Sequence, residues 1–192
     1  ELGSKFYTKA IAKIDEYVKG NQAEWLYRGN NYSIYHPITF ESSRALSGLI
    51  STNLCTIMNQ THFQAYAEDG TILYIIAQEK LFNCYIASGT GRKSEFADEQ
   101  NKHSYNLEWM LSNFPELKNV VQQYITSRTD ASVRLHFAKD KNEQYKITAQ
   151  GVKDGSIGYD DIPEDFRTPE LIEEVLKGSP WVIFELPDVE LI

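Results

Sequence analysis

The clearest hydrophobic pattern in this chain lies at His62–Ser88, HFQAYAEDGTILYIIAQEKLFNCYIAS. Short apolar runs there are separated by turn-forming pairs, which predicts three antiparallel strands in a meander. Asp69-Gly70 stands between the first two runs, and both residues tolerate the positive φ of a two-residue type I′ turn. In the middle run Ile72, Tyr74 and Ile76 alternate with Leu73, Ile75 and Ala77, so both faces are apolar and the strand should be covered on both sides. Each buried aliphatic there contributes about 1.5–3 kcal/mol before entropy is counted. Gln78-Glu79-Lys80 connects to a strand over Phe82–Ser88 with Phe82, Cys84 and Ile86 on one face.

Around this centre the periodicity changes several times. Phe6, Ala10 and Ile14, with Tyr7, Ile11 and Val18, form a helical stripe over 5–19, capped by Ser4 and ended by Gly20. Trp25–Arg28 and Tyr32–Phe40 predict a hairpin about Gly29-Asn30-Asn31, with Pro37 making its second strand an edge or a bulged one. Leu46, Leu49, Ile50, Leu54, Ile57 and Met58 suit a helix over 42–58, against which Gly48 counts by about 1 kcal/mol relative to Ala. Gly89–His103 reads as a polar loop. A helix starts near Ser104 and meets Pro115, where Asn113 and Glu116 offer a fresh capping pair, so one bent helix and two in series are both open.

Val133–Ala138 and Gln144–Gln150 predict a second hairpin over the charged turn Lys139–Glu143, and Gly151–Arg167 is irregular and acidic. Thr168-Pro169-Glu170 opens a helix carrying Leu171, Ile172, Val175 and Leu176 up to Gly178, and Trp181–Leu186 predicts a last strand. The resulting order, α-ββ-α-βββ-α(α)-ββ-α-β, argues for an α+β fold. Its mainly antiparallel sheet is built around the 62–88 meander, with four or five helices packed on it. A single globular domain over 1–192 is expected, the acidic segment 153–192 included; 192 residues bury enough surface to need no staple.

Charge changes this picture more than composition does. The chain has net charge −8, yet residues 1–152 hold 16 acids and 16 bases. Residues 153–192 hold 11 acids and only three bases, Lys153, Arg167 and Lys177. That distribution argues against nucleic acid as a direct ligand and favours a basic partner. No apolar run approaches a membrane span. Cys55 and Cys84 lie far apart in apolar settings and are read as buried free thiols, which points to a reducing compartment and a cytoplasmic location. The amino end, Glu1–Lys5, has no Met and no signal-peptide pattern, consistent with a processed or trimmed end; secretion stays open. Asn31-Tyr32-Ser33 and Asn59-Gln60-Thr61 match the glycosylation pattern at the density chance produces.

The chemistry-bearing residues are few. Asp160-Asp161-Ile162-Pro163-Glu164-Asp165-Phe166 offers carboxylates beside two apolar anchors, Ile162 and Phe166, and the helix after it adds Glu170, Glu173 and Glu174. Its plainer interpretation is a solvated loop whose acids favour the following helix start, and no EF-hand spacing marks a calcium site. Gly89-Thr90-Gly91-Arg92-Lys93-Ser94 follows a strand, as phosphate loops do, but lacks the P-loop spacing. His36, His62, His103 and His136 stand at no metal-ligand spacing, and no serine sits in a Gly-x-Ser-x-Gly elbow. Tyr32 and Tyr35, beside Trp25 and Tyr27, would make an interface patch if they share a surface.

Trp25-Leu26-Tyr27-Arg28-Gly29, Ser51-Thr52 and Glu185 fall in the Arg…Ser-Thr…Glu order and so resemble ADP-ribosyltransferases. The resemblance implies an arginine on the dinucleotide phosphates and a glutamate stabilising an oxocarbenium ion. The chain departs from that pattern in placing Ser51-Thr52 in a predicted helix and in lacking the paired acid before the glutamate.

The sequence therefore leans away from an enzyme. It favours an acidic inhibitor, of an immunity or counter-defence type, that masks the basic, nucleic-acid-facing surface of a partner such as a nuclease, toxin or nucleic-acid-binding effector. The expected contacts are Asp160, Asp161, Ile162, Glu164, Asp165, Phe166, Glu170, Glu173 and Glu174, with no cofactor and no metal. The alternative is a small ADP-ribosyltransferase-like or nucleotide-binding enzyme using Arg28 or the Gly89–Ser94 loop.

Overall fold

The structure is a computed structural model that describes residues 4–89 and 92–178. The chain divides into two compact units, Glu1–Thr129 and Asp130–Ile192. Among the described residues no helix is long and apolar enough to cross a membrane.

The first unit is an α+β fold on a five-stranded antiparallel sheet. Helix α1, Lys5–Lys19, is capped by Ser4, whose side chain accepts from the Tyr7 N–H, and ends at Gly20, as the sequence predicts. Strands β1, Ala23–Arg28, and β2, Tyr32–Pro37, form the first hairpin. Then come short helices α2, Phe40–Ser43, and α3, Cys55–Met58, and the longer α4, Gln60–Asp69. Strands β3, Gly70–Ala77, β4, Lys80–Ala87, and β5, Glu95–Asp98, complete a sheet whose spatial order is the chain order. Helices α5, Leu107–Asn113, and α6, Leu117–Tyr124, follow in series on either side of Pro115.

The meander is thus present, with shifted membership. His62–Asp69 is helical, because Asn59 accepts from the His62 N–H at the start and Phe63 and Tyr66 bury one face at helical spacing. Gly70 has φ 176°, ordinary extended backbone and no type I′ turn. Glycine is needed there for space, since a Cβ would collide with the Ile86 carbonyl oxygen and the Tyr85 ring. The third strand instead comes after β4, from the segment predicted as a polar loop.

The predicted helix over 42–58 also breaks up. Thr39 and Ser42 form a capping box that starts α2, and the buried Ser43 hydroxyl donates to the Thr56 carbonyl at 2.8 Å. Such hydroxyls, with Gly48 between them, compete with a continuous helix for backbone groups. Leu46, Leu54 and Ile57 are buried all the same. Strand β2 is interior, between β1 and β3; Pro37 is tolerated because the β2–β3 ladder runs only from Tyr32 to Tyr35.

Both sheet faces are covered. On one, Tyr35, Ile72, Tyr74, Ile76, Leu81, Tyr85, Ala87 and Ala97 pack with Tyr7, Ala10 and Ile14 of α1 and with Leu46, Leu54, Ile57, Phe63 and Tyr66. On the other, Ile34, Leu73, Ile75, Phe82, Cys84 and Phe96 are buried, and Phe82 meets the rings of Tyr105, Trp109 and Phe114.

The second unit is helical where a hairpin was predicted. Helices α7, Ala131–Leu135, and α8, Lys141–Lys153, replace the two strands, and α9, Pro169–Gly178, forms as expected. Two single 3₁₀ turns, Tyr159–Asp161 and Glu164–Phe166, fill the segment between them. Asp140 accepts from the Glu143 N–H, and the Glu143 carboxylate accepts from the Lys139 N–H, so the charged turn is a helix start. Ala131, Ile147, Val152, Ile157, Tyr159, Ile162, Phe166, Leu171 and Val175 make its core. The predicted strand Trp181–Leu186 lies outside the described residues. Among those residues there are nine α-helical segments, several of a single turn.

Candidate functional site

The acidic face of the second unit is built by the two 3₁₀ turns and the first turns of α9. Tyr159 and Ile162 stand one 3₁₀ repeat of three residues apart and are buried, as is Phe166 at the end of the second turn, while Asp160, Asp161, Glu164 and Asp165 are exposed. Ile162 is only 1% exposed and Phe166 9%. Tyr145 packs edge-on to Phe166 at 5.8 Å, and Arg167 lies over the Tyr159 ring while its Nε donates to the Ile162 carbonyl. The two residues expected to anchor a partner therefore anchor the unit itself. An apolar side chain that fills its own core leaves nothing to offer outside, and this corrects the apolar half of the predicted surface.

The carboxylates divide into paired and unpaired. Asp165 meets the Lys141 ammonium at 2.5 Å, and that hydrogen bond and charge hold its carboxyl below the usual value. Glu173 and Glu174 both reach Lys177, at 3.2 and 3.3 Å. Glu170 is lowered by its own backbone N–H and the Thr168 hydroxyl, helix-start contacts that carry no countercharge. Asp161 accepts weakly from the Gly158 N–H, at 3.4 Å. Among the described residues Asp160, Asp161, Glu164 and Glu170 have no cationic partner within salt-bridge distance. Four uncompensated carboxylates within eleven residues set up a local negative field.

The other candidates are held by their neighbours. Arg28 pairs with Asp15 at 3.2 Å and stacks over Trp25 at 5.2 Å, the ordinary fate of a strand-end arginine. Ser51 and Thr52 sit in the irregular stretch between α2 and α3, and Glu185 is outside the described residues. In the Gly89–Ser94 loop, Arg92 donates through Nε to Asp69 at 3.1 Å and lies 4.4 Å over the Tyr66 ring, while the Ser94 hydroxyl accepts from Ala87. The expected tyrosine patch is split by a register shift between Trp25 and Tyr27. Trp25 then packs on the buried Tyr35, whereas Tyr27 packs on Tyr32 and, through it, on Phe114.

His36 bonds the Ile72 carbonyl through Nδ1, and among the described residues no group of three His, Cys, Asp or Glu side chains is placed to hold a metal ion. Both cysteines are free, Cys84 deeply buried with its thiol pushed up by desolvation.

Two features of the first unit have no clear sequence signal. One is a buried polar row that crosses the sheet, Tyr35 beside Tyr74 and Tyr74 beside Asn83. The Tyr74 hydroxyl bonds Thr56 Oγ1 at 2.5 Å and Ser43 Oγ at 3.0 Å, while the Tyr35 hydroxyl and Asn83 Oδ1 have no hydrogen-bond partner among the described residues. The other is a groove between α2 and α4, hinted at only by Ile38 after Pro37. No family model, curated protein or solved structure matches the chain.

Proposed function

We propose that this chain is a non-enzymatic binding protein whose acidic second unit docks on the basic, nucleic-acid-facing surface of a partner protein and masks it. The observation that carries the reading is the partition of charge by fold unit. Asp130–Ile192 has 14 acids against 7 bases, whereas Glu1–Thr129 has 13 against 12. A field of this kind steers encounter with a positive surface and disfavours phosphate, so the partner is a protein rather than the nucleic acid it holds. With Ile162 and Phe166 inside, the contact is carboxylate-led: Asp160, Asp161, Glu164 and Glu170 first, then Asp165, Glu173 and Glu174 if their lysines exchange for the partner's. A nuclease, toxin or nucleic-acid-binding effector fits that chemistry, which is the immunity or counter-defence role. The two free thiols support a cytoplasmic setting.

The test immobilises the full chain and offers purified basic nucleases and other nucleic-acid-binding proteins. A true partner is retained at about 0.05 M salt and released by about 0.5 M, as the Debye length contracts. It also loses its grip on DNA or RNA while bound. The triple variant Asp160→Lys, Asp161→Lys, Glu164→Lys abolishes retention with unchanged circular dichroism. Retention indifferent to both salt and charge reversal refutes the proposal.

A further inference from the structure

We infer that Tyr145 and Asp165 form a cradle for one arginine of the partner, so that the acidic face prefers guanidinium to ammonium. The inference rests on the docking reading above and names its anchor. Tyr145, on α8, is 40% exposed, the one large hydrophobic side chain of the second unit left in water among the described residues. Its ring meets that of Phe166 at 5.8 Å and 80°, and Asp165 immediately precedes Phe166. The Asp165 carboxylate is bonded to Lys141, which stands four residues before Tyr145 and so on the same face of α8. A carboxylate and a partly exposed aromatic ring are thereby brought side by side.

The first unit shows twice what such a pair holds. Arg28 bonds Asp15 at 3.2 Å while its guanidinium lies 5.2 Å from the centre of the Trp25 ring. Arg92 does the same with Asp69 at 3.1 Å and the Tyr66 ring at 4.4 Å. One arginine satisfies an acid and a ring together, which suits its flat, weakly hydrated, many-donor head better than the compact ammonium of lysine. Tyr145 and Asp165 are the same pair without the arginine: among the described residues no cation lies over the Tyr145 ring. The lysine now on Asp165 is a weak occupant. The Lys141 and Asp165 side chains are 78% and 67% exposed, and hydration and side-chain freedom offset most of the attraction in such a pair. Lys141 swings into solvent on its flexible stem, while an incoming arginine gains the ring as well as the charge. Glu164, exposed beside Asp165 and without a cationic partner among the described residues, adds attraction on approach. Tyr145 thus takes the anchoring part that the buried Ile162 and Phe166 do not.

The probe is a labelled glycine-serine peptide with spaced arginines, compared with its lysine counterpart by fluorescence anisotropy on the full chain at about 0.05 M salt. The arginine peptide binds about two- to fivefold more tightly, the advantage a ring gives a cation at an exposed site. Tyr145→Leu keeps apolar cover over Phe166, leaves circular dichroism unchanged and erases the difference; Tyr145→Phe preserves it. Lys141→Ala removes the competitor and tightens arginine binding by about two- to fivefold, whereas Asp165→Asn weakens it. Equal binding of the two peptides overturns the inference and leaves the acidic docking reading standing. So does an arginine preference that survives Tyr145→Leu, which would place the arginine on the other carboxylates. Failure of the docking reading itself looks different and overturns both: the unaltered chain binds neither peptide, and reversing Asp160, Asp161 and Glu164 changes nothing.

Discussion

The two units handle polar groups in opposite ways. Glu1–Thr129 takes them inside: Ser33, Ser42, Ser43, Thr56, Asn83 and the tyrosines Tyr7, Tyr35, Tyr66, Tyr74 and Tyr85 lie within or against its sheet. Among the described residues Asp130–Ile192 keeps most of them outside, with Asp130 and Thr148 the buried polar side chains beside an otherwise apolar cluster. A buried hydroxyl costs about 1–3 kcal/mol if it loses its partner, so the first unit is specified by mutual pairing such as Tyr74 with Ser43 and Thr56. An exposed carboxylate is nearly neutral for stability yet acts at a distance. The difference separates two jobs: the first unit has polar groups that hold one arrangement, and the second has polar groups free to meet something else.

The comparison breaks most sharply at Phe166. As a core residue, Phe166→Ala costs about 3–5 kcal/mol, read as early melting of the second unit in chemical denaturation. A mutant of unchanged stability would return Phe166 to the surface. Next comes Gly70→Ala, whose new Cβ meets the Ile86 carbonyl across the β3–β4 ladder. It should cost the first unit about 1–3 kcal/mol by overpacking, and an unchanged midpoint would mean the strands are further apart than described.

A smaller difference lies in pH. Burial first, then Glu116, pushes the Tyr32 phenol up to about 12, and burial does the same for Tyr85. In the unfolded chain both titrate near 10.0. Between those values the unfolded state has released protons that the folded state keeps, so first-unit stability is whole below pH 10 and falls as pH rises towards 12. The second unit has the opposite sign. Asp165 and Glu170 are lowered from 3.8 and 4.5, so their contribution is present above those values and disappears as pH falls through the folded ones. Phenolate absorbance followed with circular dichroism checks the alkaline arm; ionisation without loss of structure would contradict it. Smallest of all, Asp160→Lys with Glu164→Lys should shift stability by about 0.5 kcal/mol or less. A larger loss would make these acids structural.

Where a local signal agreed with the fold, the sequence was readable. Ser4 and Gly20 bound α1 and Thr168-Pro169 opens α9 as capping chemistry dictates, and Pro115 divides α5 from α6, although the expected Asn113–Glu116 capping pair does not form and Glu116 bonds Tyr32 instead. Where short apolar runs fit two periods, it was not. Phe63, Ala65 and Ala67 alternate like a strand, and Tyr145, Ile147 and Ala149 do too. Asn59 and Asp140 decide both cases for helix by capping the first turn. Those caps were visible signals, Asp140 with Glu143 above all. The site was legible in its charges and not in its contacts. Exposure of Asp160 and Glu164 follows from their being carboxylates. The burial of Ile162 and Phe166 depends on α8 and α9 closing over them, which no local pattern states.

The register slip in β1 has a further consequence for how the molecule behaves in company. Among the described residues β1 and β5 are the sheet's outer strands, and an outer strand invites other chains to add on. Here the first strand is bent by an extra residue at Leu26, and the last is only four residues long and carries Glu95 and Asp98. Neither margin offers a straight, uncharged ladder, so concentrated solutions should resist fibril growth. Straightening the first margin by deleting Leu26 is the change most apt to start it.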